Sequence, residues 1–232
     1  MSDRWRIVLV AETRTAFHTL GPGRTVHLVE RPIQVDPEGA PFIPASSVRG
    51  RVRAHLERLL RALGQPVCRP PRPEGMCPHA GVVADPAGPL CLACRIFGNA
   101  WHPSATSFED LHLVRPGPEP VPLSYRTGTG ISRWLGTVQT GRLFTVETTT
   151  GGGLRFQGGV EGLLSREEVG WLLAAVGTVR HLGGGKARGL GEVRLRVAHL
   201  FRWDPQVGAW VEEDPENLVK EVVGDAPDQS RP

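Results

Sequence analysis

The chain shows two kinds of apolar pattern, one that suits strands and one that suits helices. Residues 4–15 contain a short, mostly β-branched apolar run, and residues 191–203 alternate apolar and polar positions, so both predict strands. Apolar residues recur at helical spacing in residues 46–63 and 165–179. Residues 121–160 predict short strands broken by glycines. The order strand, helix, strands, helix, strand predicts an α+β fold with a ferredoxin-like βαββαβ core.

The ends of both predicted helices carry recognisable signals. Ser46 or Ser47 can cap the first helix. Ser165 and Glu168 have the spacing of a capping box at the start of the second helix, and the glycines at 183–185 are expected to end it. Both helices are therefore predicted from end signals as well as from periodicity.

Charge is distributed unevenly along the 232 residues. Residues 1–200 carry 24 basic and 16 acidic residues, whereas residues 201–232 carry three basic and eight acidic ones. A basic body predicts a polyanionic partner. No run of eighteen apolar residues and no secretory signal is visible, so we expect a cytoplasmic protein that does not enter a membrane.

These features predict one main domain with two insertions. The domain is expected to span residues 1–203, with a cysteine-rich insertion at about 65–100 in a region of loops and a further element at about 121–160. Residues 204–232 are expected to form an acidic tail, in which 215–223 can form a short helix.

All four cysteines lie in the first insertion. Cys91 and Cys94 form a C-x-x-C pair, and Cys68 and Cys77 precede them at irregular spacing. A Pro/Gly-rich loop cannot form a core of its own, so a structural zinc ion with four closed ligands is the favoured interpretation. A redox pair or disulfides remain the alternative, and His79 is an alternative ligand to Cys68.

Three further segments combine positive charge with helix ends, glycines or aromatic residues. Arginines in the first two turns of the helix at 46–63 oppose its dipole, unless a phosphate lies there and is bound by free N–H groups and arginine forks. The glycine-rich segment 181–191 allows close approach of a ligand, with Lys186 and Arg188 supplying charge, but it does not match a Walker motif. Arginines and aromatic residues interleave in 124–149, which suits single-stranded nucleic acid. Each segment has an alternative interpretation: the helix arginines can form a solvated face, the glycine-rich segment can be a plain turn, and 124–149 can be an ordinary hairpin.

Taken together and in this order, the segments resemble the RAMP superfamily of CRISPR proteins. The closest resemblance is to the repeated backbone subunit of type III (Csm- and Cmr-type) effector complexes. The most specific matches are PFIPASSVRGRVR at 41–53 and GGGKARGLG at 183–191. The others are FHTLGPG at 17–23, VERPIQVDPEGA at 29–40, CRIFGNA at 94–100 and the TGTGISRWLGTVQTGRLFTVE region at 127–147.

The resemblance implies an RRM-like, ferredoxin-type palm with a projecting β-hairpin thumb. It also implies copies stacked along a CRISPR guide RNA, within an antiviral ribonucleoprotein. The helix start and the glycine-rich loop would hold the guide backbone, and the thumb would kink the guide–target duplex. The implied RNA-binding residues are His18, Ser46, Ser47, Arg49, Arg53, Arg126, Arg133, Gly183, Gly184, Gly185, Lys186 and Arg188. The implied partners are guide RNA, complementary target RNA and other effector subunits, including copies of this chain.

The resemblance also implies an endoribonuclease that cuts target RNA at each kink. The family places an Asp before a proline in the first long loop, and this chain has Glu30 there. Asp36 is a less favoured substitute. Cleavage by a 2′-hydroxyl would be assisted by Mg²⁺ or Mn²⁺, or by acid and base groups. The alternatives are a non-catalytic scaffold or cap subunit, a repeat-processing endoribonuclease that needs no metal, and a zinc-ribbon DNA-binding protein, the last disfavoured because its recognition helix is missing.

Overall fold

A computed structural model describes residues 2–20, 26, 29–78, 90–114 and 119–224. Within these ranges the chain forms eight strands and four α-helices. In chain order they are β1 (Asp3–Thr13), α1 (Ala45–Ala62), α2 (Leu92–Phe97), β2 (Thr106–Phe108), β3 (His112–Leu113), β4 (Leu123–Ile131), β5 (Val138–Thr149), β6 (Arg155–Leu164), α3 (Arg166–Thr178), β7 (Val193–Asp204), β8 (Ala209–Glu212) and α4 (Pro215–Val223).

The main sheet confirms the predicted ferredoxin-like α+β palm. Its strand order is β2-β6-β1-β7-β8, β3 also pairs with β6, and every pairing is antiparallel. Strand β1 lies at the centre because its apolar residues can be buried along its whole length. Trp5, Ile7, Leu9 and Ala11, on one face of the strand, are all at most 1% exposed.

Helices α1 and α3 contact each other, and their apolar residues join the same core. Val48, Val52, Leu56 and Leu60 recur every four residues and form the buried stripe of α1. Helix α3 begins with the predicted capping box of Ser165 and Glu168. It ends at Thr178, five positions before Gly183, so the prediction that the glycines at 183–185 end this helix is wrong.

The prediction that Ser46 or Ser47 caps α1 is wrong. Pro44 occupies the cap position, and no side chain in the cap itself accepts a helix N–H. Instead, the Asp110 carboxylate accepts the Ala45 N–H at 2.7 Å from another part of the chain. This carboxylate also complements the positive end of the helix dipole. The two serine hydroxyls are therefore not used as caps.

The second insertion is a hairpin that forms its own sheet. Strands β4 and β5 form a two-stranded sheet of their own, in agreement with the expected β-hairpin thumb. The predicted range 121–160 is too long, because β6 pairs with β1 in the palm. The region 65–120 is also more ordered than predicted, since α2, β2 and β3 lie within it.

Most of the predicted acidic tail packs on the palm. Strand β8 extends the main sheet beside β7, and the predicted helix at 215–223 is present as α4. Leu218 of α4 is 1% exposed, and Arg166 of α3 forms ion pairs with Glu213 and Glu221. The predicted boundary after residue 203 thus falls inside β7. None of the described helices has the length and apolar character needed to cross a membrane.

Candidate nucleic-acid interface and metal centre

A groove runs between the thumb, the glycine-rich loop and the start of α1. Its larger part has a volume of about 770 Å³ and lies between β4, β5 and the loop at 184–190. A smaller part of about 470 Å³ lies against α1, where Ser46 and Ser47 line it. Leu20 and Gly184 line both parts, so the two are continuous. The structure thus brings together three of the segments that the sequence singled out.

The glycine-rich loop fits closely against the backbone at His18. Gly183 has φ +77°, and a Cβ there would lie 2.2 Å from the carbonyl oxygen of His18. The next residue, Gly184, donates its N–H to the same carbonyl at 2.9 Å. Only glycine combines this backbone conformation with this approach. Lys186 and Arg188 follow in a short 3₁₀ turn on the exposed side of the loop.

His18 lies beneath this loop with a defined tautomer. The residue is 5% exposed, and its Nδ1 lies 2.7 Å from the carbonyl oxygen of Glu147. A carbonyl only accepts hydrogen bonds, so Nδ1 carries the proton and Nε2 is the acceptor. Burial lowers the pKa of His18, and the nearby Arg31 lowers it further, against the opposing effect of the Glu147 carbonyl. His18 is therefore a neutral imidazole in the wall of the groove.

The charge of the groove is positive. Arg126, Lys186 and Arg188 line it as predicted, and Arg31 and Arg51 line it in addition. No carboxylate occurs among the described residues that line either part. Five cations on a concave surface with no carboxylate in its described lining suit a polyanion.

An aromatic residue of the thumb also contributes. The Phe144 ring lies 5.2 Å from the Arg188 guanidinium and packs over Gly128, where a Cβ would meet the ring at 2.5 Å. This contact joins the thumb to the glycine-rich loop across the groove. Phe144, Arg31 and Arg51 were not among the predicted site residues. The alternation of arginine and aromatic residues in the hairpin was the only signal for Phe144.

Arg49, Arg53 and Arg133 are not part of the groove lining. Arg49 donates to the carbonyl oxygen of Phe97, and Arg53 donates to that of Gly98 at 2.9 Å, so both arginines hold the end of α2. Arg133 lies in the exposed turn between β4 and β5. The predicted role of α1 in phosphate binding therefore rests on Ser46, Ser47 and Arg51 rather than on Arg49 and Arg53.

Glu30 is exposed and lies where the first long loop meets the base of the thumb. The next residue, Arg31, donates its N–H to the carbonyl oxygen of Thr145 and accepts from the N–H of Glu147. Asp36 is engaged in a local turn, because its carboxylate accepts the Ala40 N–H at 2.7 Å. Of these two acids, Glu30 is the one placed beside the thumb.

The four cysteines converge on one point beneath α1. Cys68, Cys77, Cys91 and Cys94 are all at most 4% exposed, and their sulfur atoms lie within 4.8 Å of one another. Among the described residues no other group of three or more potential metal ligands lies so close together. His79, the alternative ligand, lies outside the described residues. Four cysteines thus form a cluster that could hold a metal ion.

The cluster has the dimensions of a tetrahedral thiolate site. Cys68 Sγ lies 3.5 Å from Cys94 Sγ and 3.8 Å from Cys91 Sγ. Metal–sulfur bonds of about 2.3 Å in a tetrahedron place the sulfurs about 3.8 Å apart. The hydrogen bond with Cys94 lowers the pKa of Cys91, whereas burial raises that of Cys77. No S–S bond joins the four thiols, so all four sulfurs are free to act as ligands.

The palm, the thumb and the cationic groove define a nucleic-acid-binding protein of the ferredoxin-like class. The family model described as the RAMP superfamily matches residues 11–194, about four fifths of the chain. The chain belongs to the RAMP superfamily and is thereby a CRISPR-associated RNA-binding protein. No curated protein matches the chain significantly.

Proposed function

We propose that the protein is a guide-RNA-binding backbone subunit of a type III CRISPR effector complex. The observation that supports this most directly is the groove with its five cations and no described carboxylate. Such a surface binds RNA through its phosphates and is indifferent to sequence. This is the property required of a subunit that must accept any guide.

Each wall of the groove has a part in this proposal. The hydroxyls of Ser46 and Ser47, with Arg51, bind one phosphate at the start of α1. The glycine-rich loop approaches the next part of the backbone, where Lys186 and Arg188 supply charge. Phe144 and Arg188 offer flat surfaces on which a base can stack.

The thumb is proposed to separate successive segments of the guide–target duplex. Its tip carries exposed apolar residues, with Trp134 93% and Leu135 70% exposed, next to Arg133. Exposed apolar side chains on a projecting hairpin are expected to pack against bases or against the next subunit. Stacked copies of this chain, other effector subunits and the complementary target RNA are the proposed partners.

Glu30 is proposed to take part in cleavage of the target RNA. Its carboxylate would accept the proton of the 2′-hydroxyl, whose oxygen would attack the neighbouring phosphorus and form a 2′,3′-cyclic phosphate. The bond from phosphorus to the 5′-oxygen would break, and that oxygen would take a proton from water. Mg²⁺ usually takes one or two protein carboxylates together with phosphate oxygens, so Glu30 would be the chain's ligand to Mg²⁺ or Mn²⁺. Glu reaches further than Asp by about 1.5 Å, which exceeds the tolerance of about 0.5 Å for catalytic groups unless the loop position compensates.

The experiment is target cleavage by the reconstituted effector. End-labelled complementary RNA is added with Mg²⁺ or Mn²⁺ to complexes containing the wild type, Glu30→Gln or Glu38→Gln. Glu38 is an exposed acid of the same segment and serves as the matched control. We expect regularly spaced cuts with the wild type and with Glu38→Gln, and tight binding without cuts with Glu30→Gln. Tight binding without cuts by the wild type would make the protein a scaffold, and metal-independent cutting of unassembled precursor RNA would make it a processing enzyme.

The metal of the cysteine cluster is proposed to be zinc. Four thiolates at tetrahedral spacing leave no position open to a substrate, which is the arrangement of a structural site. The ion would fix the insertion between α1 and β2. The described part of this segment has little regular structure, namely the six residues of α2 and one short 3₁₀ turn. The chemistry that zinc supplies there is crosslinking of the chain, and it takes no part in cleavage.

A further inference from the structure

Helix α1 presents three different stripes to three different surroundings. The stripe that begins at Val48 is buried in the core, and Ser47 and Arg51 line the groove. Arg49, Arg53, Glu57 and Arg61 follow one another at intervals of four residues, so they share a face. This third stripe faces the cysteine cluster and the helix α2 that carries Cys94.

Arg53 is the central residue of that stripe. Its Nε donates to the Glu57 carboxylate at 2.9 Å, which fixes the plane of the guanidinium. Its Nη1 donates to the carbonyl oxygen of Gly98 at 2.9 Å, and its Nη2 lies 3.7 Å from the sulfur of Cys94. All three nitrogens of the guanidinium are therefore engaged at the cluster or in support of it.

The neighbours of Arg53 strengthen the same junction. Arg49 donates to the carbonyl oxygen of Phe97 at the end of α2, and Arg61 donates to that of Cys68 at 3.1 Å. Positive charge is thus concentrated on the side of α1 that faces the thiols. Four thiolates around a divalent ion carry a net charge of −2, and a buried charge of this kind is costly unless it is paired.

We propose that Arg53 is a positioning residue of the metal centre, which donates an N–H···S hydrogen bond to the Cys94 thiolate and thereby determines how tightly the metal is held. Hydrogen bonds of this type orient a ligand and offset its charge, and their loss typically weakens metal binding 10- to 100-fold. Arg53 then affects RNA binding only through the metal. This replaces its predicted role as an RNA contact.

The test uses the full chain with Zn²⁺, in competition with a chromophoric chelator. We expect the zinc dissociation constant to rise at least tenfold in Arg53→Gln, which removes the guanidinium. With Co²⁺ in place of zinc, this variant is expected to keep the absorption bands of a tetrahedral site and to shift the sulfur-to-metal charge-transfer band.

Arg51→Gln is the matched control, since it removes an arginine from the groove stripe of the same helix. It is expected to leave zinc affinity unchanged and to weaken binding of single-stranded RNA at every zinc concentration. Arg53→Gln is expected to regain wild-type RNA affinity once zinc is saturating. If Arg53→Gln does not fold, Arg53→Lys keeps the charge without the fork and is expected to bind zinc more weakly than the wild type.

Three results would overturn the proposal. The first is unchanged zinc affinity in Arg53→Gln. The second is a wild-type protein that takes up neither zinc nor tetrahedral Co²⁺. The third is a loss of RNA affinity in Arg53→Gln that persists with the metal site full, which would return Arg53 to the RNA interface. The measurement of RNA affinity rests on the proposed function, but the measurement of zinc affinity does not. If the wild type did not bind RNA, the zinc affinity of Arg53→Gln would still decide whether Arg53 supports the metal centre.

Discussion

Removal of one cation from the groove should change the salt dependence of RNA binding by a calculable amount. Each phosphate contact on single-stranded nucleic acid contributes about −0.7 to the slope of log affinity against log salt. If all five cations of the groove contact phosphates, the slope is about −3.5, and a rise from 50 to 200 mM salt weakens binding about 100-fold. In Lys186→Gln the slope should fall to about −2.8, so that the same change in salt weakens binding about 50-fold.

The assay is fluorescence anisotropy of a labelled single-stranded RNA at four salt concentrations. At the lowest salt, Lys186→Gln should bind about fivefold more weakly than the wild type, the equivalent of about 1 kcal/mol for one exposed ion pair. Arg194→Gln is the control, because Arg194 is an exposed residue of β7 that does not line the groove. An unchanged slope in Lys186→Gln, or an equal loss in Arg194→Gln, would refute the assignment of the groove as the RNA site.

Three further variants test the fold around the groove. Gly189→Ala, at φ +78° with open space around it, should cost about 1 kcal/mol of unfolding free energy, and Gly183→Ala should cost clearly more because its Cβ meets the His18 carbonyl; equal losses in urea denaturation would contradict the close approach. Because the pKa of His18 is lowered in the folded state, the unfolded chain binds a proton at this residue more readily, and stability present above about pH 6.5 is lost as the pH falls towards the folded pKa. His18→Asn should flatten the dependence of melting temperature on pH in this range. An unaltered dependence would show that His18 is not its source. Leu218→Ala should destabilise the whole chain by about 2–5 kcal/mol in a single unfolding transition, whereas an unaffected main transition would mean that α4 is not part of the cooperative unit.

Features that depend on nearby residues were predictable from the sequence. The capping box of Ser165 and Glu168 is a local signal, and α3 begins where it predicts. The four-residue repeat of apolar positions likewise located α1. The palm followed from the order of these elements, since few topologies bury two helices on one antiparallel sheet.

Features that depend on distant partners were not predictable. Periodicity shows that Arg49 and Arg53 share a face of α1. It does not show that this face is covered by α2, which lies more than 40 residues further along the chain. Likewise, β5 and β6 both have strand-like sequences, and only the pairing of Ile7 with Val160 assigns β6 to the palm. Arg31 becomes a groove residue because its backbone pairs with β5, more than a hundred positions further along the chain.

The position of β1 at the centre of the sheet determines when the protein can fold during synthesis. Its two neighbours are β6 and β7, and the pairing of Trp5 with Arg202 joins residues almost 200 positions apart. At about 5–20 residues per second, a ribosome needs roughly 10–40 s to supply that partner strand. Until β6 is made, which takes most of this interval, the apolar face of β1 has neither neighbouring strand, whereas α1 and the cysteine segment are complete earlier. A nascent chain of this protein is therefore expected to depend on chaperones until translation has almost ended.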